Sequence, residues 1–388
     1  MNSKYIYTSF AIYGFAALLS ACITPFAVSE AKLGGERLVI EGDIVVGGET
    51  RIDISYMEII GAFYDVTPVG SASVWIESSD GVRYTAVWQG SDKRPYYLID
   101  SEKLLMDKSY KLCVRLVDND KLYESDFLMP LDTPEIDTIF FQVNDDRSAV
   151  DFYVSSSGDK KASPYYKWSY DEDWEISASK TSRIYYDPGL NAIREYPVEL
   201  YNYYRYCWVK NPSSSILIAR TDNLSENKVS QQPLTTIADT DRRISILYSM
   251  NLRQMSISRE AYYYWSVLKK NTDDIGGIFA PQPSEIQGNM HCVSDPDAKV
   301  IGYISAGTVS QQRIFVYAYQ VPIFKEPDCT PEDPAGLVFM SLRDRYNAEL
   351  RPVASNLSAA RDWVRRPCVE CTALGTKNKP AFWPNDHL

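Results

Sequence analysis

The chain has 388 residues, a formal net charge of −11 and 2 histidines. That acidic balance argues against nucleic acid, whose phosphates need a basic face, and against electrostatic attachment to anionic lipid. The length suggests two domains, and an apolar content of 45% is enough to fill their cores.

Lys4 is the single charged side chain before Glu30. Residues 5 to 19 are apolar, aromatic or small, the pattern of a secretory signal. The run is shorter than the roughly 20 apolar residues of a membrane-spanning helix. It ends in Leu19-Ser20-Ala21-Cys22, which resembles a bacterial lipobox. Cys22 is therefore expected to be the lipidated amino terminus, after removal of residues 1–21. Two or three acyl chains hold a protein on a membrane where one holds only marginally. The first acid after Cys22 is Glu30, so the sequence leaves the periplasmic and cell-surface faces both open.

Residues 22–36 read as a tether. Residues 37–131 read as short alternating strands, with "RLVIEGDIVV" and "TRIDISY" first. "SASVWIESSDGVRYTAVW" predicts two strands around a turn at Asp80-Gly81. "SYKLCVRLV" puts Leu112, Val114 and Leu116 on one face and Cys113 on the other. About seven strands at regular spacing predict an immunoglobulin-like sandwich. "PLDTPEID" reads as a linker to a larger β-rich domain, 132–388. One segment breaks the strand pattern. Ser258 can cap a helix over 258–270, Ile257 and Tyr262 suit a hydrophobic staple, and Ala261, Tyr264, Trp265 and Leu268 share a face. A short helix is expected near "SAARDWVRR". The fold class is thus mainly β: an immunoglobulin-like sandwich, then a larger β-sandwich-like domain with one helix packed on it.

With Cys22 lipidated, Cys113, Cys207, Cys292, Cys329, Cys368 and Cys371 remain. In an exported protein an even count permits up to three disulfides, with 15 connectivities open. At least two are expected, one or more using the Cys368–Cys371 pair. That pair lacks a second CxxC and a thioredoxin-like setting, so neither a zinc site nor a redox motif is the leading reading.

The catalytic inventory is thin. No nucleophile motif, phosphate loop or metalloprotease motif is present in context. The densest acidic cluster is "YDEDWE", with Asp171, Glu172, Asp173 and Glu175. A solvated charged turn is its expected role, against calcium binding or a glycosidase carboxylate pair. The runs "YNYYRYCW" and "AYYYWS" offer rings for stacking on a sugar, although strand or helix periodicity buries half of each.

Six segments resemble one family of Bacteroidota lipoproteins, catalogued as domain of unknown function 4249. They are "LVIEGDIVVGGETRIDIS", "YKLCVRLVDNDKLYESDFLMPL", "YKWSYDEDWE", "TDNLSENKVSQQPL", the long stretch 262–309, and "CVECTALGTKNKPAFWPN". The family's genes often neighbour those for TonB-dependent receptors. The resemblance implies an outer-membrane lipoprotein that acts as a non-catalytic accessory to a TonB-dependent β-barrel transporter, with no cofactor. Two alternatives remain: a glycan-binding or adhesive surface protein, and a hydrolase using the carboxylates of 171–175.

Overall fold

The computed structural model describes residues 37–60, 63–91, 94–273, 287–358 and 362–384. Cys22, residues 1–21 and the 22–36 tether lie outside these residues. No helix among the described residues is long and apolar enough to cross a membrane.

The chain is mainly β. Its first two sheets enclose one core. One runs, in spatial order, Val300–Ile301, Arg37–Gly42, Glu49–Ile60, Arg94–Asp100 and Val87–Ser91. The other runs Met290–Cys292, Leu122–Ser125, Tyr110–Leu116, Ala72–Ser78 and Arg83–Thr85. Period-2 alternation places Leu38, Ile40, Ile52, Ile54, Val74 and Ile76 between them. The hairpin forms where Asp80-Gly81 predicts it, with Glu77 opposite Arg83. Gly81 takes φ +83°, a conformation that favours glycine. Leu112, Val114 and Leu116 face the core as expected.

Three strands of this sandwich come from far along the chain. Met290–Cys292 pairs with Leu122–Ser125. Val300–Ile301 and Ala306–Gly307 pair in parallel with Arg37–Gly42 and Ile44–Val45. Met290, Cys292, Ile304 and Ala306 enter the same core. The side chain of Asn289 staples the returning segment by bonding both the N–H and the C=O of Ile304, each at 2.8 Å. Gly307 passes so near the linker that a Cβ there would meet the Leu131 carbonyl oxygen at 2.4 Å. Only glycine allows that approach.

Two further sheets enclose a second core. One is Ile136–Val143, Ala149–Ser157 and Lys228–Ala238. The other is Tyr206–Pro212, Tyr165–Ser177, Leu247–Ser256 and Val309–Tyr317, with Leu217–Arg220 on the first half of Tyr165–Ser177. Phe152, Val154, Tyr166, Trp168, Tyr248 and Met250 fill it. Gln254 is buried among them. It accepts from Trp168 Nε1 and donates to the Ser156 hydroxyl and the Pro134 carbonyl, all at 2.8 Å. That fixes the linker onto the second core.

The helix spans Arg259–Asp273. Ser258 Oγ accepts from the Ala261 N–H at 3.1 Å, and Ile257 and Tyr262 join one apolar cluster. Ala261 and Tyr264 are buried, as the apolar face predicts.

The C-terminal region builds a smaller unit. Two hairpins, Ile184–Asp187 with Ala192–Glu195 and Leu350–Val353 with Asp362–Arg365, lie beside the short helices Pro334–Leu337 and Leu342–Asn347. Asp362–Arg365 is a strand rather than the helix expected near "SAARDWVRR". Trp363 and Val364 there are both buried, in separate apolar clusters.

Candidate functional site

The acidic cluster lies on a central strand, Tyr165–Ser177, with strands hydrogen-bonded on both sides. It is not a solvated turn. Glu172, Asp173 and Glu175 are 3%, 2% and 0% exposed. Alternation turns Glu172 toward the second core, with Tyr166, Trp168 and Tyr170, and turns Asp171, Asp173 and Glu175 to the opposite face. Buried carboxylates need partners, and each has one. Arg253 Nη1 bonds Asp171 at 2.8 Å. Arg243 Nη1 and the Tyr248 hydroxyl both donate to Glu172 at 2.7 Å. Arg313 Nη1 reaches Asp173 at 3.2 Å and Ser249 Oγ at 2.8 Å. Trp383 Nε1 donates to Glu175 at 3.0 Å.

Burial pushes the Asp173 carboxyl up, against the pull of Arg313. Burial, and then the Glu172 carboxylate, hold the Tyr248 phenol well above its ordinary range. These groups tie neighbouring strands of one sheet together and hold the tail at Trp383. A glycosidase pair needs two carboxyl groups converging across a cleft. Here Glu172 points away, and Asp171, Asp173 and Glu175, though on one face, are each engaged by Arg253, Arg313 or Trp383. Among the described residues, no group of three or more His, Cys, Asp or Glu is placed to hold a metal ion.

In the run "YNYYRYCW" only Cys207 is buried and Tyr203 is exposed, while Tyr204 packs against a ring from outside the run. Tyr185 stacks on Tyr196 at 4.6 Å, and Tyr196 meets Tyr204 at 5.5 Å. These rings line a cavity closed by Arg351 and Glu370, which bond at 3.0 Å. Its volume is about 20 Å³, room for about one water. Burial, and then the Glu370 carboxylate, raise the Tyr196 phenol. The helical run "AYYYWS" packs Tyr264 inward and leaves Tyr263 exposed. Lys167 sits over the Trp265 ring at 4.8 Å and pairs with Asp43.

Four of the six cysteines pair. Cys207 joins Cys371 and Cys329 joins Cys368, with Cα atoms 5.5 and 5.7 Å apart. Both cysteines of "CVEC" therefore bind distant partners. Cys113 and Cys292 are free thiols, contrary to their place among the disulfide candidates. They lie on the same sheet with Leu122–Ser125 between their strands. Cys292 faces the core, whereas Cys113 is buried on the other face of the sheet beside Glu124. Two strand spacings of about 4.8 Å put them beyond disulfide reach. Burial, then Glu124, push the Cys113 thiol up to about 12, which makes it a poor nucleophile.

Two features escaped sequence reasoning. One is a charged seam where the first sandwich meets the outer face of the acidic strand. Glu41 and Asp53 lie opposite each other on paired strands. Arg51 Nη2 bonds Asp53 at 2.7 Å and lies over Tyr96. Crowding of the seam, then Asp53, raise the carboxyl of Glu41, whose side chain nevertheless keeps an exposed face, against Lys167. The other is the edge strand Val309–Tyr317, which has no ladder partner on one side among the described residues and is legible only as a strand in "QRIFVYAYQVPI".

A search of curated proteins found no match to this chain. A family model described as a domain of unknown function, DUF4249, matches residues 23–313. The match takes in both sandwiches and the returning segment. It ends within the edge strand, ahead of most of the disulfide-bonded C-terminal unit. Because that match covers most of the chain, the protein belongs to the DUF4249 family.

Proposed function

We propose that the protein is an outer-membrane lipoprotein, anchored at Cys22, that binds a TonB-dependent β-barrel transporter and performs no chemistry of its own. The observation that carries the binding reading is where large apolar side chains are left in solvent. Phe339 and Val338, adjacent in sequence, are 95% and 68% exposed just after the helix Pro334–Leu337. Tyr319, just past the edge strand, is 75% exposed. Contiguous exposed apolar groups mark interaction sites, and Val338 and Phe339 are contiguous in the chain. The engaged carboxylates of the acidic strand remove the support for the hydrolase alternative. The choice of transporter rests on the genes that neighbour relatives, which is analogy.

A glycan-binding reading stays second. It is favoured by the Tyr317 and Tyr319 rings, stacked at 5.3 Å near the surface. The test is affinity purification from mild detergent with a tag at Leu388. Co-recovery of a large β-barrel supports the transporter reading. Recovery of the protein alone, with tight binding on a polysaccharide array, replaces it with the glycan reading.

A further inference from the structure

We infer that the edge strand Val309–Tyr317 is a docking site for one extended, basic segment of a partner polypeptide, added as a further strand. The proposal rests on the binding reading above and names how the partner is held.

Sheet edges expose unpaired backbone groups, and proteins guard them with short strands, bulges, proline or lysine. Most of the other terminal strands here are guarded in those ways; Val87–Ser91, five residues in unbroken register without proline or lysine, is the exception and is little more than half as long as Val309–Tyr317. Val300–Ile301, Met290–Cys292 and Arg83–Thr85 are two or three residues long. Ile136–Val143 carries a register shift at Ile136/Thr138. Lys228–Ala238 contains Pro233 and two shifts against its neighbour. Tyr206–Pro212 contains Lys210 and Pro212 and is bridged at Trp208 to Thr376.

Val309–Tyr317 has none of these. It pairs with Leu247–Ser256 in one uninterrupted register from Val309 to Tyr317, without proline or lysine. The direction of its free groups follows from two bonds at its end. The Ala318 N–H donates to the Ile246 carbonyl at 2.9 Å, across the ladder. The Tyr317 N–H turns the other way, to Gln320 Oε1 at 2.8 Å. In an antiparallel pair the direction alternates residue by residue. Val309, Gln311, Arg313 and Phe315 therefore aim their N–H and C=O groups outward.

A second observation points to an occupant. A groove of about 570 Å³ runs beside the first half of this edge. Asp132, Glu135 and Ile136 form its far wall, and Thr308, Gln311 and Gln312 its near one. Ser310 Oγ accepts the Ile136 N–H at 3.0 Å at its closed end. The two carboxylates favour lysine or arginine on the side of the incoming strand that faces the linker. The opposite side meets the face shared by Phe315 and Phe382, whose rings are 6.4 Å apart, so apolar side chains belong there. The fitting segment alternates basic and apolar residues, a strand-addition mode in which backbone bonds give affinity and alternate side chains give specificity.

The probe is a nonapeptide with blocked ends that alternates lysine and valine, with a glutamate–valine peptide as control. Binding is measured by titration calorimetry, and hydrogen exchange is followed at residues 309–317. The lysine peptide is expected to slow exchange at Gln311, Arg313 and Phe315, and the glutamate peptide to have no effect. Gln311→Pro removes an outward N–H and no ladder bond, a position where an edge strand tolerates proline. It should weaken peptide binding at least tenfold. Glu135→Lys should weaken it similarly with the edge intact, which keeps the test informative if the proline variant misfolds. Binding of both peptides alike, absence of protection at these amides, or equal affinity of both variants would overturn the proposal. So would a dimer that Gln311→Pro dissolves, because the occupant would then be a second copy. If the Gln311→Pro protein still recovers the transporter from detergent, the edge is wrong and the binding reading stands. If the wild type recovers none, the transporter reading fails and the peptide experiment alone decides the edge.

Discussion

Reducing the two disulfides should release the C-terminal unit and leave the first sandwich folded. Cys329–Cys368 joins residues 39 apart, and closing such a loop is worth about 4 kcal/mol in chain entropy. Cys207–Cys371 spans 164 residues and encloses the first loop, so its effective length is about 125 and its contribution about 5 kcal/mol. The sum, about 9 kcal/mol, is a ceiling, because structure retained in the reduced chain lowers it. It compares with a total stability of roughly 5 to 15 kcal/mol for a typical protein. Besides these bridges the unit has the Tyr185–Tyr196–Tyr204 packing, the Arg351–Glu370 pair and two small cores. Its apolar clusters are Leu337, Leu350 and Trp363, and Cys368 with Val364 and Val369. The first sandwich contains no cystine, since Cys113 and Cys292 are free. Calorimetry of oxidised and reduced protein checks this directly. The reduced sample should show a new transition at lower temperature, with proteolysis confined to the segment after about residue 320 and to the hairpin of Ile184–Asp187 and Ala192–Glu195 that packs with it. Identical thermograms and identical cleavage in both states would refute the reasoning.

Arg243→Ala strips the buried Glu172 carboxylate of its cation and should cost about 3 to 5 kcal/mol, read by urea denaturation. A cost under about 1 kcal/mol would mean that Tyr248 alone satisfies Glu172. Glu41 has its folded pKa raised, so ionising it costs stability as pH rises through that value, and the penalty is absent once the group is protonated. Glu41→Gln should therefore raise the melting temperature at pH 8, with the gain shrinking toward pH 4; an equal gain at both would contradict the assignment. Cys22→Ser should shift the protein from the membrane fraction to the soluble one, and retention after a salt wash would remove the anchor from the account.

The sequence shows strands readily because period-2 alternation is a local property. Leu112, Val114 and Leu116 face the core as their spacing says. The helix is equally legible, since its cap and its apolar face lie within one stretch of chain. What escapes is non-local. The strands Val300–Ile301 and Ala306–Gly307 are two residues each, too short for any period, and their parallel partners lie near the start of the chain. Gly307 in "SAGTV" is the one local trace of that close approach.

The acidic cluster was misread for the same reason. Four carboxylates in five positions look solvated, because their partners are out of sight. Arg243, Arg253 and Arg313 lie 71, 82 and 140 residues away, and Trp383 lies 208 away. Cysteine parity permitted three bridges, but the opposite facing of Cys113 and Cys292 is a property of the sheet. The edge strand has the composition of any strand. Its lack of a ladder partner on one side, among the described residues, is a property of the assembled sheet.

The central proposal is that this chain is lipid-anchored and works by holding a transporter, and the mass of the intact particle tests it most directly. Native mass spectrometry of the tagged protein, released from its own outer membrane in mild detergent, should give the mass of one lipidated chain plus one large β-barrel. A spectrum containing only the lipidated chain, from membranes in which the barrel is abundant, would contradict the claim.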